Sequence, residues 1–259
     1  MRRFDGHAAM VTGAGQGIGE AVARRLADEG AGVLVTDREE ARAARVAEAV
    51  RGAGGRAEAL ACDVTDDAAV ESAVLHAAAT FGRLDVLVNN AYACHPGPPR
   101  FEEQQDGPWY EDFEVSLHGA YRCIRAALPH LAARGAGAIV NVGSVNAERF
   151  FDAHAYSAAK AGLASLTRTV AVESAPRGVR VNLVEPGTVR TGAWEGRTEA
   201  LRRASEQYPL GRVGEPSDIA GAVAFLASPD AAWVTGVVLP VDGGLLVSNL
   251  GLSRVLAQG

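Results

Sequence analysis

Short apolar runs bounded by turn residues recur along the chain, at Ala8 to Thr12, Gly32 to Thr36, Glu58 to Cys62, Val86 to Asn89, Ala138 to Val142, Val179 to Val184 and Val237 to Val241. Runs this short and this apolar suit strands covered on both faces, as in a parallel sheet. Between them the apolar spacing changes to three and four. Ile18, Val22 and Leu26 mark one helix face, and Val70, Val74 and Phe81 mark another that ends at Gly82. The longest stripe, Trp109, Phe113, Leu117, Tyr121, Ile124, Leu128 and Leu131, predicts a helix from about Gly107 to Arg134 with a kink at Pro129. After Ser144 and a polar loop comes a further helix that turns Leu163, Leu166 and Val170 inward. Seven strands alternating with helices predict one doubly wound α/β domain over residues 1–259, its parallel sheet flanked by helices on both faces.

The stretch from Thr188 to Gly214 breaks this rhythm, being rich in charge and carrying Trp194, Tyr208 and Pro209. Ligands of open α/β sheets bind at the carboxyl ends of the strands, so a long excursion there is expected to be a substrate lid over residues 188–214.

Composition narrows the partners. The net charge is −6 and the arginines are scattered among acids, which leaves no electrostatic footprint for nucleic acid. No apolar run reaches the length of a membrane span, so no membrane partner is expected. Cys62, Cys94 and Cys123 are odd in number and far apart, as suits reduced thiols and a cytoplasmic location. The six histidines never fall at ligand spacing with one another, so no metal is expected.

Candidate chemistry begins with one exception to the arginine bias. Of the 25 basic residues only Lys160 is lysine, and it stands four residues after Tyr156. Positions i and i+4 share a helix face, where an ammonium beside a phenol would favour the phenolate and make the tyrosine a usable acid and base. Near the N-terminus, Thr12-Gly13-Ala14-Gly15-Gln16-Gly17-Ile18-Gly19 follows the first strand and opens the first helix. Glycines allow the tight turn, and the helix N-terminus offers amides and a positive dipole end to a pyrophosphate. Asp37 ends the second strand, where an acid accepts from the ribose hydroxyls and repels a 2′-phosphate. NAD is therefore expected over NADP, although the adjacent Arg38 could reach a phosphate.

Together with Tyr156-x-x-x-Lys160 these residues resemble the short-chain dehydrogenase/reductase family, from about His7 to Gly244. Further matches follow in order: Asp63-Val64, Asn89-Asn90-Ala91, Gly143-Ser144, Pro186-Gly187-Thr188-Val189-Arg190-Thr191 and Val241-Asp242-Gly243-Gly244. The resemblance implies a three-layer Rossmann-type domain, a nicotinamide cofactor, a small-molecule substrate and a homotetramer, or a homodimer, built on the two long helices. It implies that Tyr156 exchanges a proton with the substrate oxygen while Ser144 orients that oxygen, and that Lys160 holds the nicotinamide ribose and depresses the tyrosine pKa. The cofactor would lie along Gly13, Gln16, Gly17, Ile18, Gly19 and Asp37. Asp63 and Val64 would sit at the adenine, Asn90 and Ala91 near the adenosine ribose, and Pro186, Gly187, Val189 and Thr191 around the carboxamide.

Two positions depart from the family pattern. Tyr92 replaces a glycine, and Ser116, in Val115-Ser116-Leu117, replaces the asparagine that helps hold the water of a proton relay. Ser116 keeps a hydroxyl but is shorter. Tyr92, Cys94, His95, Phe150, Phe151, His154 and Trp194 could line an aromatic pocket, and Glu185 is an unusual residue before Pro186. The expected activity is interconversion of a secondary alcohol and a ketone with NAD(H). Oxidation of a cis-dihydrodiol, reduction of a 3-oxoacyl thioester, and an NAD(H)-binding sensor with little catalysis are the alternatives. A thioester would call for a basic patch, for which Arg190, Arg197, Arg202 and Arg203 are the candidates.

Overall fold

A computed structural model describes residues 2–257. Seven strands form one parallel sheet: β1 (Ala8–Val11), β2 (Gly32–Asp37), β3 (Arg56–Ala61), β4 (Val86–Asn89), β5 (Gly137–Val142), β6 (Val179–Pro186) and β7 (Val238–Val241). Their order is β3-β2-β1-β4-β5-β6-β7. The winding reverses between β1 and β4, and a crevice opens there at the carboxyl ends of the strands, where doubly wound sheets bind ligands.

Helices cover both faces. On one lie α1 (Gly17–Asp28), α2 (Glu40–Gly52) and α8 (Pro216–Ala227), packed on Val11, Val33, Val35, Val88, Val140 and Val184. On the other lie α3 (Asp67–Phe81), α5 (Gly119–Ala132) and α6 (His154–Ser174), packed on Met10, Leu34, Leu87, Ile139 and Val181. Successive strand residues thus face opposite layers, and both layers are apolar, which is why the strands read as continuous hydrophobic runs. As the sequence predicts, α3 stops at Gly82, whose φ of 72° puts it in the left-handed region that favours glycine.

The long helix is continuous but not uniform. It comprises α4 (Asp106–Phe113), a π-helical turn over Glu114–His118, and α5. Pro129 lies in the last turn of α5, which runs on to Ala132, so the marked irregularity of the helix is the π turn around Ser116.

Residues 188–214 leave the end of β6 and close on themselves ahead of α8. Val189 and Gly214 form a parallel bridge at the base, with Gly214 N–H donating to Thr188 O at 2.9 Å and Arg190 N–H to Gly214 O at 2.9 Å. The excursion contains α7 (Thr198–Ser205) and a small core of Leu201, Tyr208 and Val213, against which Trp194, Ala204 and Leu245 pack. A last helix, α9 (Leu250–Ala257), follows β7.

Candidate active site

The reactive trio comes from two neighbouring elements. Ser144 follows β5 by two residues and caps the next turn, where its buried Oγ donates to Asn146 Oδ1 at 3.0 Å and accepts from Asn146 N–H at 3.2 Å. Tyr156 lies in the first turn of α6. Two consecutive non-glycine residues, Asp152 and Ala153, precede that helix at φ of 58° and 55°. Such left-handed conformations cost about 1–2 kcal/mol each, and they turn the chain sharply between the Ser144 loop and Tyr156. Deeper in the layer, Asn89 Nδ2 donates to Asn141 Oδ1 at 2.8 Å, Asn141 Nδ2 to Thr167 Oγ1 at 2.9 Å, and Thr167 Oγ1 to Leu163 O at 2.8 Å. This buried chain ties β4 to β5 and α6, and fixes the height of Tyr156 and Lys160 above the sheet.

Lys160 is only 2% exposed, and its Nζ donates to Val142 O at 2.7 Å. The ammonium lies 5.5 Å from the Tyr156 ring centroid and 6.0 Å from that of Tyr92, and the two rings are 6.1 Å apart. Tyr92 therefore encloses the amine with a second aromatic face, an arrangement the sequence did not reveal. Burial pushes the Tyr156 phenol up, with Ser144 pulling the other way, and the Lys160 charge is not among the causes. Burial also pushes Lys160 down to about 8. The helical spacing brings amine and ring together, but desolvation of both groups outweighs their attraction in the protein alone.

Ser116 is buried in the π turn. Its Oγ donates to Ala93 O at 2.9 Å and accepts from Ala93 N–H at 3.1 Å. The hydroxyl proton is thus committed to the backbone after Tyr92, and the residue pins that loop to the long helix.

The glycine loop fits a dinucleotide. A Cβ on Gly13 would lie 2.9 Å from Ala91 Cα, and one on Gly19 would lie 2.4 Å from Gly13 O. The loop is therefore pressed against the end of β4. Asn90 holds it there, with Nδ2 donating to Thr12 O at 3.0 Å and to Gly13 O at 2.9 Å. The side-chain amide of Asn90 is occupied by the loop, and its backbone N–H donates to Thr12 Oγ1 at 3.0 Å. No side chain caps α1 at Gln16, so its first-turn amides remain available for a phosphate.

Asp37 is buried, its Oδ2 accepting from Gly15 N–H at 3.0 Å and its Oδ1 from Glu39 N–H at 3.1 Å. A Cβ on Gly15 would lie 2.7 Å from Asp37 Oδ2 and 2.5 Å from Arg42 Cβ, so this glycine belongs to the site although it is absent from the sequence-predicted set. Asp63 folds an Asx turn onto Thr65, and Val64 packs so closely that a Cβ on Gly119 would lie 2.6 Å from its Cγ2.

A cavity of about 780 Å³ joins these parts. Gly13, Gln16, Gly17, Ile18, Asp37, Arg38, Asp63, Val64, Asn90, Ala91 and Thr191 line it, with Tyr92, Cys94 and His95 further along. Ser144, Tyr156 and Lys160 are not in its walls but adjoin it through Tyr92. Of the stretch from Pro186 to Thr191, Thr191 alone reaches the cavity, while Val189 packs into the core. Phe150 is exposed, His154 stacks edge-on to Phe101 at 5.4 Å, and Trp194 joins the small core of residues 188–214, so the aromatic residues grouped from the sequence are dispersed.

The arginines proposed as a basic patch are engaged otherwise. Arg190 pairs with Glu215, Arg202 with Glu199 and Glu206, Arg203 with Glu199, and Arg197 stacks over Trp194 at 4.5 Å. Glu185, unexplained from the sequence, is 1% exposed, and neither carboxylate oxygen has a hydrogen-bond partner among the described residues. Burial first, then the charge of Glu148, raise its pKa to about 7.

Comparison with known proteins agrees with this geometry. The family model described as enoyl-(acyl carrier protein) reductase matches residues 13–246. The chain is 45% identical over 243 residues to a cis-4-hydroxycyclohexanecarboxylate dehydrogenase of Sinomonas cyclohexanicum, covering 93% of this chain and 97% of that one. It is 39% identical over 249 residues to a meso-2,3-butanediol dehydrogenase of Serratia marcescens, covering 95% and 97%. Among solved structures, a 7α-hydroxysteroid dehydrogenase complexed with NADH and 7-oxo glycochenodeoxycholic acid superposes with a TM-score of 0.88 at 33% identity, covering 93% of this chain and 95% of that one.

Proposed function

The chain belongs to the short-chain dehydrogenase/reductase family, and from that premise we propose that it interconverts a secondary alcohol and a ketone with NAD(H), Tyr156 serving as acid and base. The observation that carries this reading is the half-buried Tyr156, one helical turn from a buried Lys160 and across from Ser144, beside a glycine-lined cavity.

A bound nicotinamide dinucleotide supplies the hydride acceptor or donor. The uncapped amides of α1 receive its pyrophosphate, and Asp37 accepts from the ribose hydroxyls. A 2′-phosphate would meet the buried Asp37 carboxylate, which favours NAD, while Arg38 and Arg42 on the same wall moderate that preference. Tyr156 Oη gives its proton to the ketone oxygen in reduction and takes the hydroxyl proton in oxidation. Ser144 Oγ turns from Asn146 to donate to that same oxygen and share its developing charge. Lys160 supports the phenolate electrostatically and holds the ribose. Residues 188–214 are the lid. With Arg190, Arg202 and Arg203 paired to acids, the mouth favours a small neutral alcohol over an acyl thioester.

We place the protein in the cytoplasm as a homotetramer. Its three cysteines are free thiols, and Trp233, which precedes β7, is fully exposed in the single chain. Light scattering after gel filtration tests the assembly. The central experiment is a panel of secondary alcohols, diols and sugars assayed with NAD and NADP in parallel, on the parent protein and Tyr156→Phe. The variant is expected to bind NADH normally and to lose turnover. Substantial residual activity would remove Tyr156 from its role.

A further inference from the structure

The geometry points to His95, held by Asp112, as the group that binds a second, uncharged hydroxyl of the substrate, which makes a diol or polyol the substrate class. The inference rests on the oxidoreductase reading above and adds to it the substrate's second polar group.

Asp112 lies on α4, one turn before Ser116, and is 1% exposed. The inward face of an amphipathic helix is normally apolar, and a buried carboxylate persists only where hydrogen bonds satisfy it. His95 provides them. Its backbone N–H lies 3.2 and 3.3 Å from the two Asp112 oxygens, and its Nδ1 lies 2.7 Å from Oδ1. An ionised carboxylate can only accept, so the Nδ1 position carries the proton and the ring orientation is fixed, the device by which carboxylates orient functional histidines. Nε2 is left as the outward nitrogen.

His95 borders the site, with Glu111 Oε2 as the neighbour of Nε2. The His95 side chain is 37% exposed, the residue lines the same cavity as the glycine loop, and it lies three residues after Tyr92, whose ring is 6.1 Å from that of Tyr156. The Asp112 charge is also felt at the Tyr156 phenol. Neither His95 nor Asp112 has a part in the proton exchange assigned to Tyr156 and Ser144. Charge then selects the ligand. Glu111 Oε2 stands 3.5 Å from Nε2, and with Asp112 behind the ring a carboxylate or phosphate would be repelled. A neutral hydroxyl, which can accept from Nε2 or donate to it, meets no such penalty.

The experiment compares cyclohexanol with cyclohexane-1,2-, 1,3- and 1,4-diols, using NAD, on the parent protein, His95→Phe and His95→Gln. Phe keeps the ring's bulk without its nitrogens, whereas Gln keeps a polar atom near the Nε2 position. For the best diol, His95→Phe is expected to lower kcat/KM by about ten- to a hundredfold, mainly through KM, as for a lost buried hydrogen bond. Cyclohexanol should change by less than about twofold on the same reasoning, and His95→Gln should recover much of the loss on the diol. Equal losses on diol and cyclohexanol, or no recovery with Gln, would overturn the assignment. Calorimetric titration of the same diols into the protein saturated with NADH separates the two readings. His95-dependent binding without turnover sinks the oxidoreductase reading and keeps this site. Turnover without His95 dependence does the reverse, and neither turnover nor His95-dependent binding rejects both.

Discussion

Replacing Glu185 with glutamine removes a buried charge while keeping the side chain's shape, and its effect can be worked from the surroundings. Glu185 leaves β6 toward α6, its carboxyl 1% exposed and both oxygens without partners among the described residues. The acids Glu148 and Asp242 raise its pKa, and Arg168 on α6 is the one cation that opposes them. The result is a rise from the ordinary 4.5 to about 7, with burial as the largest cause. A folded-state pKa above the unfolded one means that the folded protein binds the proton more tightly, so stability is complete below about 4.5 and is lost as pH rises toward 7. At about 1.36 kcal/mol per pH unit, the gap is worth at most about 3 kcal/mol above neutrality. Urea unfolding of the parent protein and Glu185→Gln from pH 4.5 to 8.5 reads this directly. The variant should gain relative to the parent protein as pH rises, up to that limit, and the difference should level off above about pH 8. Parallel curves, or a variant that loses ground with rising pH, would show that Arg168 stabilises an ionised Glu185 and would refute the reasoning.

Four further outcomes are expected. Asp37→Ser should raise kcat/KM with NADP relative to NAD by at least about tenfold, because it removes the buried charge that a 2′-phosphate would meet; unchanged cofactor preference in parallel assays would count against Asp37. Gly15→Ala places a methyl 2.7 Å from Asp37 Oδ2 and 2.5 Å from Arg42 Cβ, so NADH titration by fluorescence should show weaker binding with the fold retained by circular dichroism. Ser116→Ala leaves the Ala93 N–H and carbonyl unpaired and should destabilise the protein by about 1–3 kcal/mol in urea unfolding, with hydride transfer persisting. Because burial holds the Tyr156 proton tightly, ketone reduction should continue through neutral pH while alcohol oxidation climbs with pH, as separate initial-rate profiles in the two directions would reveal.

Much of the framework was legible because it depends on short-range patterns. All seven strands lie where apolar runs predict them, with ends displaced by a residue or two. β3 begins at Arg56, since Arg56 pairs with Gly32, and β6 extends through Pro186, since it pairs with Val241. Register with a neighbour decides such ends, and a single run does not contain it. The long helix was legible, but not the π turn at Glu114–His118, which carries the same apolar stripe. Asp112 carries a legible signal. It is an acid four residues before Ser116 on the inward side of that stripe, and a charge there calls for a partner.

By itself, then, the sequence determined the alternation of strands and helices, the glycine turn ahead of α1, and the one-turn spacing of Tyr156 and Lys160, because each is a matter of local periodicity or backbone freedom. Tertiary structure alone decided what those residues experience. It buried Lys160 beside two neighbouring tyrosine rings and raised the Tyr156 phenol, closed the Ser116 hydroxyl onto Ala93, and joined His95 to Asp112. Desolvation and hydrogen-bond partnership depend on which distant segments come together, and residues 17 or 23 apart in the chain acquire their chemistry only when the loop after β4 folds back along α4.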